Sequence, residues 1–483
     1  MSATAPPTSA DGFGRGALLL AGSNAVYVVL GYAMTTVLAR VLEPADFGGF
    51  GVVMAWITIL TALLVKGVTT ATAREMASQE QPPNAWRAGF GLGLRFALGL
   101  TVVGIAISKL AAGWFGSDEL VEQFAIGALG ALTFGTNAVL LAWPTGMRRY
   151  GRQALAQLAY AVARVACVLG GAWVAGIDGA VVGYVAAPLL ASLVLLERRP
   201  AATMPLRELR ARMARAVVPI AVASIAVTAF FIVDVFALSA ELGAQSREVG
   251  IYIAYGTLAH VPFFLLQATS IAMVPAIAAA AVGAARADAI RRTLTDTVVL
   301  LAAPTLLLVT AGDAAARFVF GTDYHADSAI VAPLALATAA VTLLAGLLAV
   351  DVAIGRLRGA LAIVLASVVA LAVACSFAAR AAEDPAAAVA WTAAAVSVAA
   401  MTTLAVHVRL RHGALLERRR AMQGALIGAG FALLPLAAGD HDILRTALAA
   451  VSAIAWLLLV LRLGIVDIRR TTPATEPVEL TAP

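Results

Sequence analysis

Charge is the scarcest commodity in this chain. Only 13% of its residues are Asp, Glu, Lys or Arg, while 61% are hydrophobic and the mean hydropathy is +0.91. A soluble globular protein carries about 25% charged and 45–50% apolar residues, so a soluble fold is excluded for a chain of 483 residues with this balance. Cysteine is nearly absent: Cys167 and Cys375 both fall inside apolar runs, which excludes a disulfide framework and a paired-cysteine metal site. Lysine is reduced to Lys66 and Lys109, and the remaining basic residues are arginines set between apolar runs. The net charge of +6 is therefore no nucleic-acid footprint, since no basic stretch is interleaved with aromatics. Long polar segments are missing too. The longest turn on the acidic side, Gly312 to Asp327, is about sixteen residues. No phosphate-binding GxxxxGK[ST] or HxxEH constellation occurs, which excludes an ATP-driven pump and argues against a membrane glycosyltransferase or polymerase. No cofactor and no metal site is expected.

What the chain has is apolar runs. Ser23 to Arg74 contains two of them, joined by the short charged turn Arg40 to Phe47. Each is about 20 residues or longer, enough at ~1.5 Å per residue to cross a hydrocarbon core. Fourteen such spans are expected, at roughly 16–39, 48–72, 88–112, 124–144, 154–175, 179–196, 216–240, 249–280, 293–311, 328–351, 360–379, 386–406, 421–438 and 443–461. The sixth and ninth are short. Loops that alternate along the chain differ in sign: Arg148, Arg149, Arg152, Arg207, Arg210, Arg212, Arg291 and Arg418 to Arg420 lie on one side, and Glu43, Asp46, Asp118, Asp323, Asp384 and Asp442 on the other. By the positive-inside rule the arginine-rich side is cytoplasmic, with both termini on it. Residues 1–13 make a poor signal peptide and read as a short disordered cytoplasmic tail, and 467–483 as a second cytoplasmic tail.

A repeat underlies the spans. Phe47-Gly48-Gly49-Phe50 is echoed by Val249-Gly250-Ile251-Tyr252, Phe115-Gly116-Ser117-Asp118 by Phe320-Gly321-Thr322-Asp323, and Arg152-Gln153-Ala154-Leu155 by Arg358-Gly359-Ala360-Leu361. Three ordered matches at nearly one offset predict two homologous six-helix lobes, 14–196 and 216–406, related by a pseudo-twofold axis along the membrane normal. A basic linker, 197–215, joins them, and two further spans at 421–466 are appended.

The stretch Leu38 to Phe50, the closing Leu63 to Glu75, the Val249–Tyr255 motif and the Phe318–Tyr324 turn resemble the polysaccharide flippase family of the multidrug/oligosaccharidyl-lipid/polysaccharide exporter (MOP) superfamily. The likeness covers the first twelve spans and is most specific at Leu38–Phe50. One departure is Lys66 before Gly67, where the family's residues are usually neutral or acidic. The resemblance implies an all-α polytopic membrane protein with about fourteen transmembrane helices, its two lobes enclosing a central cavity that opens alternately to either side. It implies as cargo an undecaprenyl-pyrophosphate-linked oligosaccharide, moved from the inner to the outer leaflet in cell-surface polysaccharide synthesis. Membrane lipids, a polysaccharide polymerase, glycosyltransferases and a coupling proton or sodium ion are the implied partners. A multidrug or cation antiporter of the same superfamily is the alternative.

A pyrophosphate head needs a polar, cationic path, and ionisable residues inside spans are functional-site hypotheses because each costs about 2.5–3.5 kcal/mol to insert. Arg164 is the sharpest. Gln153, Gln157, Tyr160 and Arg164 share one face of the fifth span, and an arginine fork can bind phosphate oxygens bidentately. Its bland alternative is a structural ion pair with another helix. Lys66 and Arg95 are expected near the cytoplasmic boundary, either snorkelling or forming a basic vestibule. Asn24 and Tyr27 in the first span, and Asn137 in the fourth, offer donors to sugar hydroxyls or to neighbouring helices. Asp234 and His260 are the ion-coupling candidates, with an ordinary ion pair and a packing histidine as their alternatives. Pro262 is expected to kink the eighth span, Asp351 to pair with Arg356 and Arg358, and Asp296 to mark a helix end. The membrane potential alone suffices to give direction, and ion antiport through Asp234 or His260 competes with it.

Overall fold

The computed structural model describes residues 10–78, 82–197, 201, 206–264, 266, 277, 283–326, 328–354, 357–439 and 441–466, and every described element is a helix or turn. In a bilayer each backbone polar group must be satisfied within its own segment, and a helix does this. The hydroxyls obey the same constraint: Thr61, Thr136, Ser192, Thr342 and Ser367 each donate to the carbonyl four residues earlier. Twelve of the described helices are long and apolar enough to cross a membrane.

The first group comprises α1 (Ala10–Val41), α2 (Pro44–Ala62), a π-helical turn (Leu63–Val68), α3 (Thr69–Ser78), α4 (Pro82–Ala106), α5 (Ser108–Trp114), α6 (Val121–Gly146) and α7 (Tyr150–Ser192). The helix α7 is really two crossings. At Gly176 the backbone takes φ 55°, ψ −134°, open to glycine and hostile to other residues, and the chain doubles back there. The arms then pack so closely that a Cβ at Gly171 would lie 2.0 Å from the Gly179 carbonyl oxygen. The fifth and sixth expected spans are thus a single hairpin.

The second group comprises α8 (Arg207–Ala229), α9 (Val233–Leu242), α10 (Arg247–Ala259), α11 (Ala284–Phe320), α12 (Val331–Ile354), α13 (Leu357–Ala381) and α14 (Pro385–His412). Finally α15 (Arg418–Leu433) and α16 (Asp442–Arg462) pack on α11, tied there by Arg420–Asp296 and Arg317–Asp442 ion pairs. Asp296 is therefore an inter-helix partner and not a helix end.

Several boundaries differ from expectation. The helix α8 begins at Arg207, inside the expected linker, because its amphipathic start lies against α3 and α4. The seventh span is broken at Phe230–Ile232, so that α8 packs on the first group and α9 on α13 and α14. The ninth is not short: α11 runs 37 residues. The eighth breaks at His260, two residues before Pro262, whose ring removes a helical donor. Residues 261–264 continue helical, while Gln267 and Ser270 further along the same span lie outside the described residues, as do Arg356 and both tails 1–9 and 467–483.

On the acidic face the two groups close on each other. A Cβ at Gly250 of α10 would sit 1.8 Å from the Pro44 carbonyl oxygen of α2, and one at Gly48 would sit 3.0 Å from the Gly250 nitrogen. The Ala244 amide donates to the Phe115 carbonyl at 2.9 Å and to Ser117 Oγ at 3.0 Å. Arg40 donates to the Phe318 and Val319 carbonyls at the end of α11. Side chains facing outward are bare aliphatics and aromatics, Trp173, Val174, Phe377 and Leu410 among them, as a lipid-facing surface requires.

Candidate functional site

Two polar clusters lie at bilayer depth. The first is built by α1 against the first arm of α7. Ser23 Oγ donates to Gln157 Oε1, and Gln157 Nε2 donates to Asn24 Oδ1, each at 3.0 Å. Two turns further along α7, Arg164 is buried at 9% exposure, its Nη1 donating to Tyr27 Oη at 3.2 Å. Its guanidinium lies 4.8 Å from the Tyr27 ring centre and 5.7 Å from that of Tyr160. Phe134 of α6 packs edge-on against Tyr160 and also against Tyr184 of the return arm. Gly31 leaves the room on α1: a Cβ there would come within 2.4 Å of Arg164 Nη2. Among the described residues Arg164 has no carboxylate within ion-pair distance, and its Nε has no partner. It is an unneutralised cation held by π faces and hydroxyls.

The second cluster is a cavity of about 140 Å³ between the two groups, lined by Gly51 and Ala55 of α2, by Asp234, and by Tyr252, Thr257 and His260. Asp234 is 4% exposed and accepts from Tyr252 Oη at 2.7 Å and from the Val235 amide at 2.9 Å. No ion pair to it is found among the described residues. His260 stacks edge-on with Phe231 at 4.8 Å. Both titratable groups stand at breaks: Asp234 opens α9 just past Ile232, and His260 closes α10.

The expected residues therefore separate. Asn24, Tyr27, Gln157, Tyr160 and Arg164 come together, and Asp234 and His260 line one cavity. Gln153 lies farther down α7, half-buried, with no side-chain bond among those described. Asn137 turns away from both clusters, donating to the Pro188 carbonyl at 3.2 Å and to Ser192 Oγ at 3.1 Å, and so joins α6 to α7. Lys66 and Arg95 are exposed. Each sits beside α8: Gly67, next to Lys66, abuts Val217 and Ala221, and Gly91, one turn before Arg95, abuts Arg210. Lys66 falls within the π-turn, a deviation common at functional sites. Reasoning from sequence missed Tyr184, which reaches the cluster only through the Gly176 reversal, and Tyr252, which stood in the quoted Val249–Tyr255 motif.

A family model described as "polysaccharide biosynthesis protein" matches residues 13–280. The chain belongs to that family. The matched region contains the Leu38–Phe50 stretch and every candidate site residue named above. No curated protein matches the chain significantly. Among solved structures, the lipid II flippase MurJ in an inward closed conformation superposes with a TM-score of 0.73 at 10% identity, covering 93% of this chain and 100% of MurJ. An inward-facing multidrug resistance MATE transporter gives 0.64 at 14% identity, covering 80% and 95%. A MOP superfamily transporter from Pyrococcus furiosus, described as having a binding pocket of reversed polarity, gives 0.61 at 16%, covering 83% and 96%. At such identities the likeness establishes the fold, that of the MOP transporters. The protein is a multi-pass membrane protein of the polysaccharide biosynthesis family.

Proposed function

We propose that this transporter moves a lipid-linked oligosaccharide of the undecaprenyl-pyrophosphate type from the inner to the outer leaflet by alternating access, with both termini cytoplasmic. Residues 14–196 and 216–406 serve as the two lobes. The observation that carries the reading is the unpaired, buried arginine. A cation at this depth without a counter-charge is costly, and a diphosphate supplies that counter-charge. Arg164 can take its oxygens bidentately once Tyr27 yields, while Asn24, Gln157 and Ser23 offer exchangeable bonds to the sugars. Lys66, Arg95 and Arg210 give a basic approach from the arginine-rich face, and the acyl chain stays in lipid.

Direction comes from the membrane potential, worth about 2.3 kcal/mol per charge per 100 mV for an anionic head moving outward. One observation favours the antiporter alternative: the Asp234–His260 cavity is suited to a cation. Proteoliposomes containing an undecaprenyl-pyrophosphate oligosaccharide, with imposed potentials and no ion gradient, distinguish the two. The proposal expects head exposure on the far leaflet to accelerate with voltage. Ion-driven efflux of organic cations without glycolipid movement would overturn it.

A further inference from the structure

A third buried polar cluster lies far from both sites, at the arginine-rich face. Asp351, near the end of α12, is fully buried, and among the described residues neither carboxylate oxygen has a hydrogen-bond partner. Of the two arginines expected beside it, Arg356 lies outside the described residues and Arg358 is exposed. From α14, His407 Nε2 comes to 3.8 Å from Oδ2 and His412 Nε2 to 3.8 Å from Oδ1. Both imidazole nitrogens are themselves buried and unbonded. A distance of 3.8 Å is too long for a hydrogen bond and right for an ion pair awaiting its proton.

The electrostatics ask for that proton. An ionised carboxylate sealed from water with no donor is penalised by several kcal/mol, and the two imidazoles are the groups that approach it. Each faces a different oxygen, so an Nε2–H on either converts an idle contact into a charge-assisted bond. Both histidines sit at the C-terminal end of α14, which ends at His412, and helix C-termini favour cations. One group opposes: exposed Arg411 comes within 3.5 Å of a Cβ built at Gly359, the same point that His407 Nε2 approaches to 3.1 Å. From α13, Arg358 is exposed; on α11, Asp288 and Arg291 pair with each other. Among the described residues no group of three His, Cys, Asp or Glu is placed to hold a metal ion.

We propose that Asp351, His407 and His412 form a proton-binding site that fastens α12 to α14 at the arginine-rich face. Proton uptake makes the bonds. Proton loss orphans the carboxylate, so the two helix ends part and admit water. The inference is independent of what the transporter carries, since it concerns only how the second group of helices closes at that end.

The test uses the full-length protein in lipid nanodiscs. Histidine ring ¹⁵N spectra are followed from about pH 5 to 8, the span over which imidazoles ordinarily change charge, with His407→Gln and His412→Gln assigning the signals. Hydrogen exchange at 348–354 and 404–412 is recorded alongside. Protection there should fall severalfold beyond the intrinsic rise with pH, because protons bound only in the closed arrangement link its stability to pH. The excess should vanish in the His407→Gln/His412→Gln variant, and Asp351→Asn should shift both imidazole signals. If Asp351→Asn does not fold, the double histidine variant still decides. An unchanged exchange profile in that variant overturns the proposal, and so does protection of the same ends by zinc in the wild type alone, which would make the ligand a metal ion.

Discussion

Replacing Arg164 separates an anion-binding arginine from a structural one, because the two roles predict opposite effects on the fold. Among the described residues the side chain donates to Tyr27 Oη and lies over the Tyr27 and Tyr160 rings. At about 0.5–2 kcal/mol for each cation–π contact and about 1.5–3 kcal/mol for a hydrogen bond to a charged group, these sum to about 2.5–7 kcal/mol, which the ~2.5–3.5 kcal/mol insertion penalty together with the ~1.5–3 kcal/mol of apolar burial that methionine regains roughly offsets. Arg164→Met should therefore leave thermal stability near the wild-type value. Binding is another matter. A bidentate phosphate contact supplies two charge-assisted bonds at about 1.5–3 kcal/mol each, from which the released Tyr27 bond must be subtracted. The net loss of about 1.5–3 kcal/mol corresponds to about 10–100-fold weaker binding. Arg164→Lys keeps the charge and loses the fork, so it should fall about tenfold. Gly31→Ala leaves the arginine in place but puts a methyl 2.4 Å from Nη2, and should impair binding by displacing the fork. The assay is affinity for an undecaprenyl-pyrophosphate oligosaccharide in nanodiscs, paired with thermal unfolding of each variant. If Arg164→Met unfolds several degrees lower while its residual folded fraction binds normally, the arginine is a structural tie and the reasoning fails.

Gly250→Ala must push α10 from the Pro44 carbonyl, so it should bias the protein toward an open acidic face, read as several-fold faster maleimide labelling of a Thr257→Cys site from that side; unchanged labelling in a folded variant would show that the contact does not hold the face shut. Asp234→Asn keeps an acceptor for Tyr252 and so should keep both fold and voltage response, because the charge that moves belongs to the substrate. Loss of all flipping in that variant would transfer the coupling to the Asp234–His260 cavity.

The membrane class and the helical fold were legible because hydropathy and loop charge are properties of whole segments. Breaks were less so. Pro262 advertised the break in the eighth span, but Phe230–Ile232 is an apolar turn of ordinary composition, and only packing of α8 and α9 on different partners explains it. Within the site, the 3.6-residue period placed Gln157, Tyr160 and Arg164 on one face of α7, and the structure sets that face against Asn24 and Tyr27 of α1. The same reasoning could not see that Asn137 faces the return arm of α7, or that histidines more than fifty residues on approach Asp351. Contacts between helices distant in sequence have no periodic signature. Gly48 and Gly250, which the matched motifs set in correspondence, do meet in space.

The three polar clusters differ in how each tolerates a buried charge, and the difference follows from what each would do. Arg164 is held by rings and hydroxyls that can let go without leaving a charge behind, which suits a site that must bind an anion and release it in every cycle. Asp234 sits where a helix is interrupted, with the Val235 amide and the Tyr252 hydroxyl as donors, so its carboxylate is satisfied before any ion arrives. Asp351 has no such donors and depends on imidazoles that must first take up protons. On that proposal, the pH dependence of closure at the arginine-rich face should disappear with His407 and His412 and survive the loss of Asp234, which lies in a separate cluster.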